Sequence, residues 1–359
     1  MSTTPRRVCL PHDLDATGFR LLNDWQRDFP LVSRPFARIG ESVGMAEHEV
    51  IAAYRRFIDD GLVSRVGAVF APRRLGASAL AALAAPPERL EEVAARISRE
   101  PAINHNYQRE HAYNLWFVVT AASPEHMRAV VAGIERDTGC PVIVLPLEEE
   151  FHIDLGFDLK SDAGARRGAG ASGDAANLAA AAGAMTSLPR ESACALPALE
   201  RELITALQMG LPLVAEPFAA LGECAGLTEG MAMELIERWL ADGLIRRLGV
   251  VVRHHELGLE ANAMCVWDVP DDIVSALGRR LAAEPAVTLC YRRRRALPGW
   301  RYNLFCMIHG SARDTVLAAR DDLAARLGLD AYAHDVLFSC RRFKQTGACY
   351  LPPKEGAHV

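Results

Sequence analysis

Apolar and polar positions follow a helical period first and a two-residue period afterwards. Asp15 can cap a helix running to about Asp28. A second short helix is predicted near Pro35–Val43. A third is predicted near Ala46–Asp60, with Val50, Tyr54, Phe57 and Ile58 on one face, and Gly61 stops it. The following LVSRVGAVF alternates like a strand pair or wing, which completes a winged helix-turn-helix pattern. Strand 78–85, helix 87–99, strands 102–109 and 112–120, helix 124–138 and strand 141–147 come next. That βαββαβ order predicts a ferredoxin-like unit, so the fold class is α+β.

The whole pattern then recurs. FPLVSRPF (29–36) matches LPLVAEPF (211–218), and DGLVSRVGAVF (60–70) matches DGLIRRLGVVV (242–252), both at an offset of 182. EPAINHNYQRE (100–110) matches EPAVTLCYRRR (284–294) at 184, and YNLWF (113–117) matches YNLFC (302–306) at 189. Ordered matches with a slowly drifting offset indicate a duplicated domain; a period this long excludes a solenoid. The second set comprises strand 261–269, helix 271–283, strands 286–294 and 301–309, helix 312–327 and strand 331–339. The predicted divisions are a first winged helix-turn-helix at 1–70 and a first α/β domain at 71–160. An Ala/Gly-rich flexible linker at 161–195, a second winged helix-turn-helix at 196–253 and a second α/β domain at 254–359 complete them. Equivalent surfaces on the two copies predict a pseudo-twofold chain whose α/β domains pack sheet to sheet.

Composition narrows the function. Of 359 residues half are hydrophobic and 24% charged, with a net charge of −5, so nothing global favours nucleic acid. The predicted third helices, AEHEVIAAYRRFIDD and TEGMAMELIERWLADG, are acidic where a DNA reader carries Arg, Lys, Asn or Gln, so no specific DNA partner is expected. No apolar run reaches the ~18–20 residues of a membrane span, and no secretory leader is evident. Nine scattered cysteines without a CxxC spacing argue against a zinc ribbon or disulfide framework; no metal site is expected, and a cytoplasmic location is.

The chemistry-bearing residues cluster in the α/β portions. Alternation places His105, Tyr107 and Arg109 on one strand face, matched by Leu289, Tyr291 and Arg293. His111 lies in the hairpin that follows, where the second copy has five extra residues and no His. The first copy therefore carries paired histidines and the second a cationic run, Arg292 to Arg295. A lone strand His is more often structural, a Tyr often packs a sheet, and an arginine run is often a solvated hairpin. Trp116 and Trp300 read as core or pocket wall.

The strings His105–His111, Tyr113–Phe117, Tyr291–Arg295, Leu297–Trp300 and Tyr302–Phe305 sharpen the picture. The architecture resembles the Lrp/AsnC regulators, and these strings resemble the siroheme decarboxylases in their fused two-subunit form. That resemblance implies loss of CO2 from the acetates at C12 and C18 of siroheme, giving 12,18-didecarboxysiroheme for haem d1 or an alternative haem route. The iron tetrapyrrole is substrate, and no further cofactor is implied. Proton delivery falls to His105, His111 and Tyr107. Substrate contact falls to Arg109, Tyr113, Asn114, Trp116, Tyr291, Arg292, Arg293, Arg295 and Tyr302. A homodimer and contact with other tetrapyrrole-pathway enzymes remain open. The alternatives are a ligand-responsive regulator and a non-enzymatic tetrapyrrole carrier.

Overall fold

The computed structural model describes residues 14–71, 74–153, 196–252, 261–310 and 312–351. The predicted linker at 161–195 and the pair His254–His255 lie outside the described residues. Helix α1 (Ala16–Asn23) is capped by Asp15, whose carboxylate accepts from the Gly18 N–H at 2.6 Å. It stops short of the predicted Asp28, which takes a positive φ of 53° where the chain turns. Helix α2 (Pro35–Val43) starts on its proline and ends at left-handed Gly44. Helix α3 (Glu47–Asp59) buries Val50, Ile51, Tyr54 and Phe57 and ends before Gly61, at φ 80°.

Strand β1 (Val63–Phe70) corrects the wing prediction. It does not fold back on itself. It pairs antiparallel with its counterpart from the second copy, Ile245–Val252, so the ribbon has one strand from each half. The physical reason is burial. Residues of both helical units, among them Phe36, Tyr54, Phe218 and Trp239, form one continuous core with this ribbon, and a local hairpin would leave that core uncovered. Gly67 stands opposite Gly249 at the crossing, where a Cβ on Gly249 would meet the Gln26 carbonyl oxygen at 2.4 Å.

The α/β portions follow the predicted element order. The first runs β2 (Ala77–Leu83), α4 (Leu90–Arg99), β3 (Ile103–Arg109), β4 (Leu115–Ala121), α5 (Pro124–Thr138), β5 (Val142–Ile153). After α6 (Ala198–Met209), α7 (Pro217–Ala225), α8 (Glu229–Ala241) and the ribbon strand β6 (Ile245–Val252), the order repeats. The second set is β7 (Ala261–Trp267), α9 (Val274–Ala282), β8 (Val287–Arg293), β9 (Leu304–Gly310), α10 (Arg313–Leu327), β10 (His334–Gln345).

The two halves meet face to face over one shared apolar cluster, as the repeat predicts, and their sheets are also joined at the edges. Their edges pair, β10 with β3 and β5 with β8, and close an eight-stranded barrel in the order β10-β3-β4-β2-β5-β8-β9-β7. This explains why β5 and β10 run six residues past their predicted ends at 147 and 339: each extension is the seam to the other copy. Helices cover the outside over two separate apolar clusters, one per copy. The interior is a single cluster drawn from both halves, with Trp116, Leu145, Met264, Trp300, Phe305 and Leu337. Every neighbouring pair is antiparallel, so β3 and β8 run the same way along the barrel. The hairpins after them, 110–114 and 294–303, therefore crown one end. The ribbon approaches the other end, where Arg246 of β6 ion-pairs with Glu150 of β5.

Candidate functional site

Tyr107 pairs across the ladder with Trp116, and Tyr291 with Phe305, both members of the interior cluster. Directly opposed residues share a face, so the predicted row His105–Tyr107–Arg109 lies inside the barrel. Asn106, on the other face, donates to the Ala94 carbonyl and to Ser98 Oγ, both at 3.0 Å, and ties β3 to α4. The His105 ring stacks on Tyr107 at 6.2 Å between centroids, and the Arg109 guanidinium stands 5.9 Å from the Tyr107 ring.

Arg109 is 8% exposed and donates through Nη1 to the Leu337 carbonyl at 2.9 Å. On the second strand Arg293 stands 5.1 Å from Tyr291 and donates to the Leu145 carbonyl at 3.2 Å. These are the same contacts related by the pseudo-twofold. Neither guanidinium has a carboxylate partner among the described residues, and burial pulls each down to about 10. Burial raises the Tyr291 hydroxyl. A buried cation without a counter-ion is costly, and an anionic ligand relieves that cost.

His105 is also deeply set. Burial first, and the charge of Arg65 second, push its imidazole down to about 4, so it is neutral at pH 7. Its Nδ1 is buried without a hydrogen-bond partner. His111 is separated from it. At about 3.3 Å per residue the Cα atoms of His105 and Arg109 are about 13 Å apart, and His111 lies beyond Arg109 in the crown. The two histidines stand at different ends of the row.

The crown is aromatic. His111 stacks on Tyr113 at 5.9 Å and meets the Trp300 edge at 5.4 Å, while Trp300 also contacts Trp116 and Tyr302. The Tyr113 N–H donates to His111 Nδ1 at 2.9 Å. That bond assigns the proton of the neutral ring to Nε2, which faces Asp335 Oδ2 at 3.5 Å. Burial lowers the His111 pKa, and the charge of Asp335 opposes the shift. Asp335 comes from the second copy and was not singled out in the sequence; it has no matched acid in the first copy to signal it. Burial raises the Tyr302 hydroxyl.

Other predicted contacts are structural in their placement. Asn114 exchanges both amide bonds with the Ala85 backbone at 2.8 Å, clasping its hairpin, as Asn303 does with Val269 at 2.9 Å. Trp116 donates to the Tyr113 carbonyl at 2.7 Å. The arginine run is largely neutralised. Arg292 meets Glu148 at 3.1 Å and Asp271 at 3.2 Å, Arg294 meets Glu148 at 3.2 Å, and Arg295 meets Asp268 at 2.7 Å and Asp271 at 2.8 Å. Among the described residues no group of three or more His, Cys, Asp or Glu is placed to hold a metal ion. No helix among them is long and apolar enough to cross a membrane. A groove of about 410 Å³ beside Leu199, Leu227 and Met231 belongs to the second helical unit and shares no residue with the barrel.

Comparison with known proteins bears on this geometry. Residues 74–152 and 256–344 match the AsnC-like ligand binding domain, and residues 19–63 and 200–246 match the siroheme decarboxylase NirDL-like HTH domain. The siroheme decarboxylase NirDL subunit of Paracoccus pantotrophus is 42% identical over 93% of this chain and 97% of its own length. The chain belongs to the fused siroheme decarboxylase (NirDL) family. The siroheme decarboxylase of Hydrogenobacter thermophilus is 30% identical over 92% of this chain and 94% of its own. A crystal structure of NirDL in complex with an iron-uroporphyrin III analogue aligns over 93% of both chains, with a TM-score of 0.64 and 26% identity.

Proposed function

We propose that this protein decarboxylates siroheme at the C12 and C18 acetates, giving 12,18-didecarboxysiroheme for haem d1 or haem synthesis. One observation carries the reading: Arg109 and Arg293 are buried, have no carboxylate partner among the described residues and line an interior shared by both copies. Two such cations suit a polycarboxylate, and the family supplies which one.

The reaction needs an electron sink and two protons in transit. Protonation of the ring carbon beside an acetate makes the macrocycle electron-poor. The bond to the carboxylate then breaks, CO2 leaves, and its electron pair forms an exocyclic double bond. A proton on the exocyclic carbon gives the methyl group, and the ring carbon returns its proton. The net change is uptake of one proton and loss of one CO2. Arg109 and Arg293 fix carboxylates, and Tyr107 and Tyr291 lie against them. His105 is neutral before substrate arrives; a carboxylate beside it favours its protonated form and makes it an acid. His111, backed by Asp335, is the proton donor at the crown.

In this reading each copy is a helix-turn-helix unit plus a ferredoxin-like unit, divided as the sequence suggests, with the wings replaced by the shared ribbon and the helical units retained as scaffold. The protein works in the cytoplasm and needs no cofactor besides its substrate. The deciding experiment offers siroheme anaerobically to the purified protein. A mass loss of two CO2 supports the enzyme, and binding without loss supports a carrier. Neither, together with tight sequence-selective DNA binding at physiological salt, supports a regulator.

A further inference from the structure

We propose that Arg65, carried by the ribbon strand β1, binds a carboxylate of the tetrapyrrole at the end of the first row next to His105. The assignment rests on the decarboxylase reading and adds to the site a residue from outside the α/β portions. Arg65 also falls between the two matched family domains, 19–63 and 74–152.

Position comes first. β1 carries an irregularity between Val63 and Arg65, where the register against β6 slips by one. Such a bulge re-aims a side chain. Arg65 donates through Nη2 to the Ala68 carbonyl at 3.0 Å, and its Nε is buried without any hydrogen-bond partner. No carboxylate lies within ion-pair distance of it among the described residues. The chain after β10 closes on its far side: a Cβ on Gly347 would meet Arg65 Nη1 at 2.6 Å.

The counterpart in the second copy is placed alike and has one more backbone contact: Arg247 donates to the Val250 carbonyl, matching Arg65 and Ala68, and also to the Gln26 carbonyl. Beside it Arg246 is ion-paired with Glu150. The first copy has Ser64 in place of Arg246, and in place of Glu150 the equivalent strand position carries Arg342.

Gln345 pairs with His105 across the seam and Thr346 donates to the Asn104 carbonyl at 2.8 Å, so Gly347, which lies against Arg65, brings that arginine to the His105 end of the row. His105 Nδ1 is buried without a partner, and Arg65 Nε is buried without a partner. The charge of Arg65 reaches His105 strongly enough to lower its affinity for a proton. A carboxylate between them accepts from the guanidinium and from the protonated imidazole. The row then reads Arg65, His105, Tyr107, Arg109: a cation at each end and two stacked rings between. That is the order of charges and flat surface presented by the edge of a polycarboxylated macrocycle.

The test uses the full chain, siroheme for turnover and iron-uroporphyrin III as a binding probe that does not depend on turnover. Arg65→Met is expected to weaken probe binding at least tenfold, Arg65→Lys to recover part of it, and Gly347→Ala, which displaces the guanidinium without removing its charge, to fall between. Independently, NMR titration of the ligand-free protein is expected to show the His105 imidazole protonating at higher pH in Arg65→Met than in the parent. A folded Arg65→Met that binds the probe as the parent does, with His105 titration unmoved, overturns the assignment. Parental protein that binds the probe yet releases no CO2 from siroheme overturns the decarboxylase reading instead, and leaves the binding comparison to decide Arg65.

Discussion

The two seams of the barrel are built alike and charged oppositely. At one, β3 presents His105, Tyr107 and Arg109 against a β10 strand carrying Arg341, Arg342 and Lys344. At the other, β8 presents Leu289, Tyr291 and Arg293 against a β5 strand carrying Glu148, Glu149 and Glu150. The Tyr–Arg pairs persist with matching carbonyl contacts, so both seams keep the equipment to hold an anion. Only the first carries an imidazole in the inward row, at His105 where the second has Leu289; the second seam's own histidine, His152, stands on β5 opposite Cys290. In the reading proposed above, both seams bind carboxylates and His105 gives proton delivery to the first.

The largest expected effect breaks that division directly. His105→Ala and His111→Ala are each expected to slow CO2 release by ~10²–10⁴-fold, the usual range for a general acid, with siroheme still bound. Leu289→Ala, at the position matching His105, is expected to leave the rate within about threefold. Equal losses at 105 and 289 would show that the seams share the chemistry. Parental rates in both histidine variants would move the proton donor to Tyr107 or Tyr113.

Stability against pH sharpens the same contrast. The folded His105 pKa, about 4, lies below the ordinary 6.5 of an unfolded chain. The unfolded state therefore takes up the proton first as pH falls. Stability is complete above about pH 6.5, declines between 6.5 and 4, and the total cost is at most ~3 kcal/mol. Denaturant unfolding of the parent and of His105→Leu, which copies the second seam, measures the difference between pH 7.5 and 4.5. An identical pH dependence in the two proteins would show that His105 does not titrate as a buried group.

Arg109→Ala and Arg293→Ala come next. A buried charge-assisted hydrogen bond contributes about 1.5–3 kcal/mol, so each variant is expected to lose about 10–150-fold in siroheme affinity. Lysine at either position keeps the charge, loses the planar fork and recovers part of the loss. Because the contacts are matched, the two losses are expected to be similar; unchanged affinity in both would remove the arginines from the site.

How much of this was legible follows from which forces act locally. Helix starts and stops, such as Asp15, Pro35 and Gly44, are set by neighbours within a few residues and were readable. So was the inward row His105–Tyr107–Arg109, because a strand's period fixes its faces. The cross-copy features were not. The wing became a ribbon and the sheets became a barrel because residues separated by about 180 positions share a core. Ion pairing was equally hidden: Arg292 to Arg295 look like one cationic run until Glu148, Asp268 and Asp271 are placed beside them. Arg65 carried a readable signal, since the repeat keeps an arginine at both 65 and 247. Asp335 carried none.

The smallest effect tests whether the arginine run of the second seam contacts substrate. Arg294 is 69% exposed on its side chain and its ion pair is with Glu148. An exposed pair contributes about 0–1 kcal/mol, since water and salt screen it. Arg294→Ala is therefore expected to change stability by under ~1 kcal/mol and siroheme affinity by less than about twofold. Its neighbour Arg292 points the same reasoning the other way. It is held by Glu148 and Asp271 together, so its removal leaves each of those acids with one arginine, Arg294 or Arg295, in place of two. Arg292→Ala is expected to weaken siroheme binding modestly through the less neutralised acids, and the double variant Arg292→Ala/Glu148→Gln to recover it. A loss that the glutamine does not restore would mean that Arg292 itself grips the substrate, and the second seam would then hold more of the site than its ion pairs suggest.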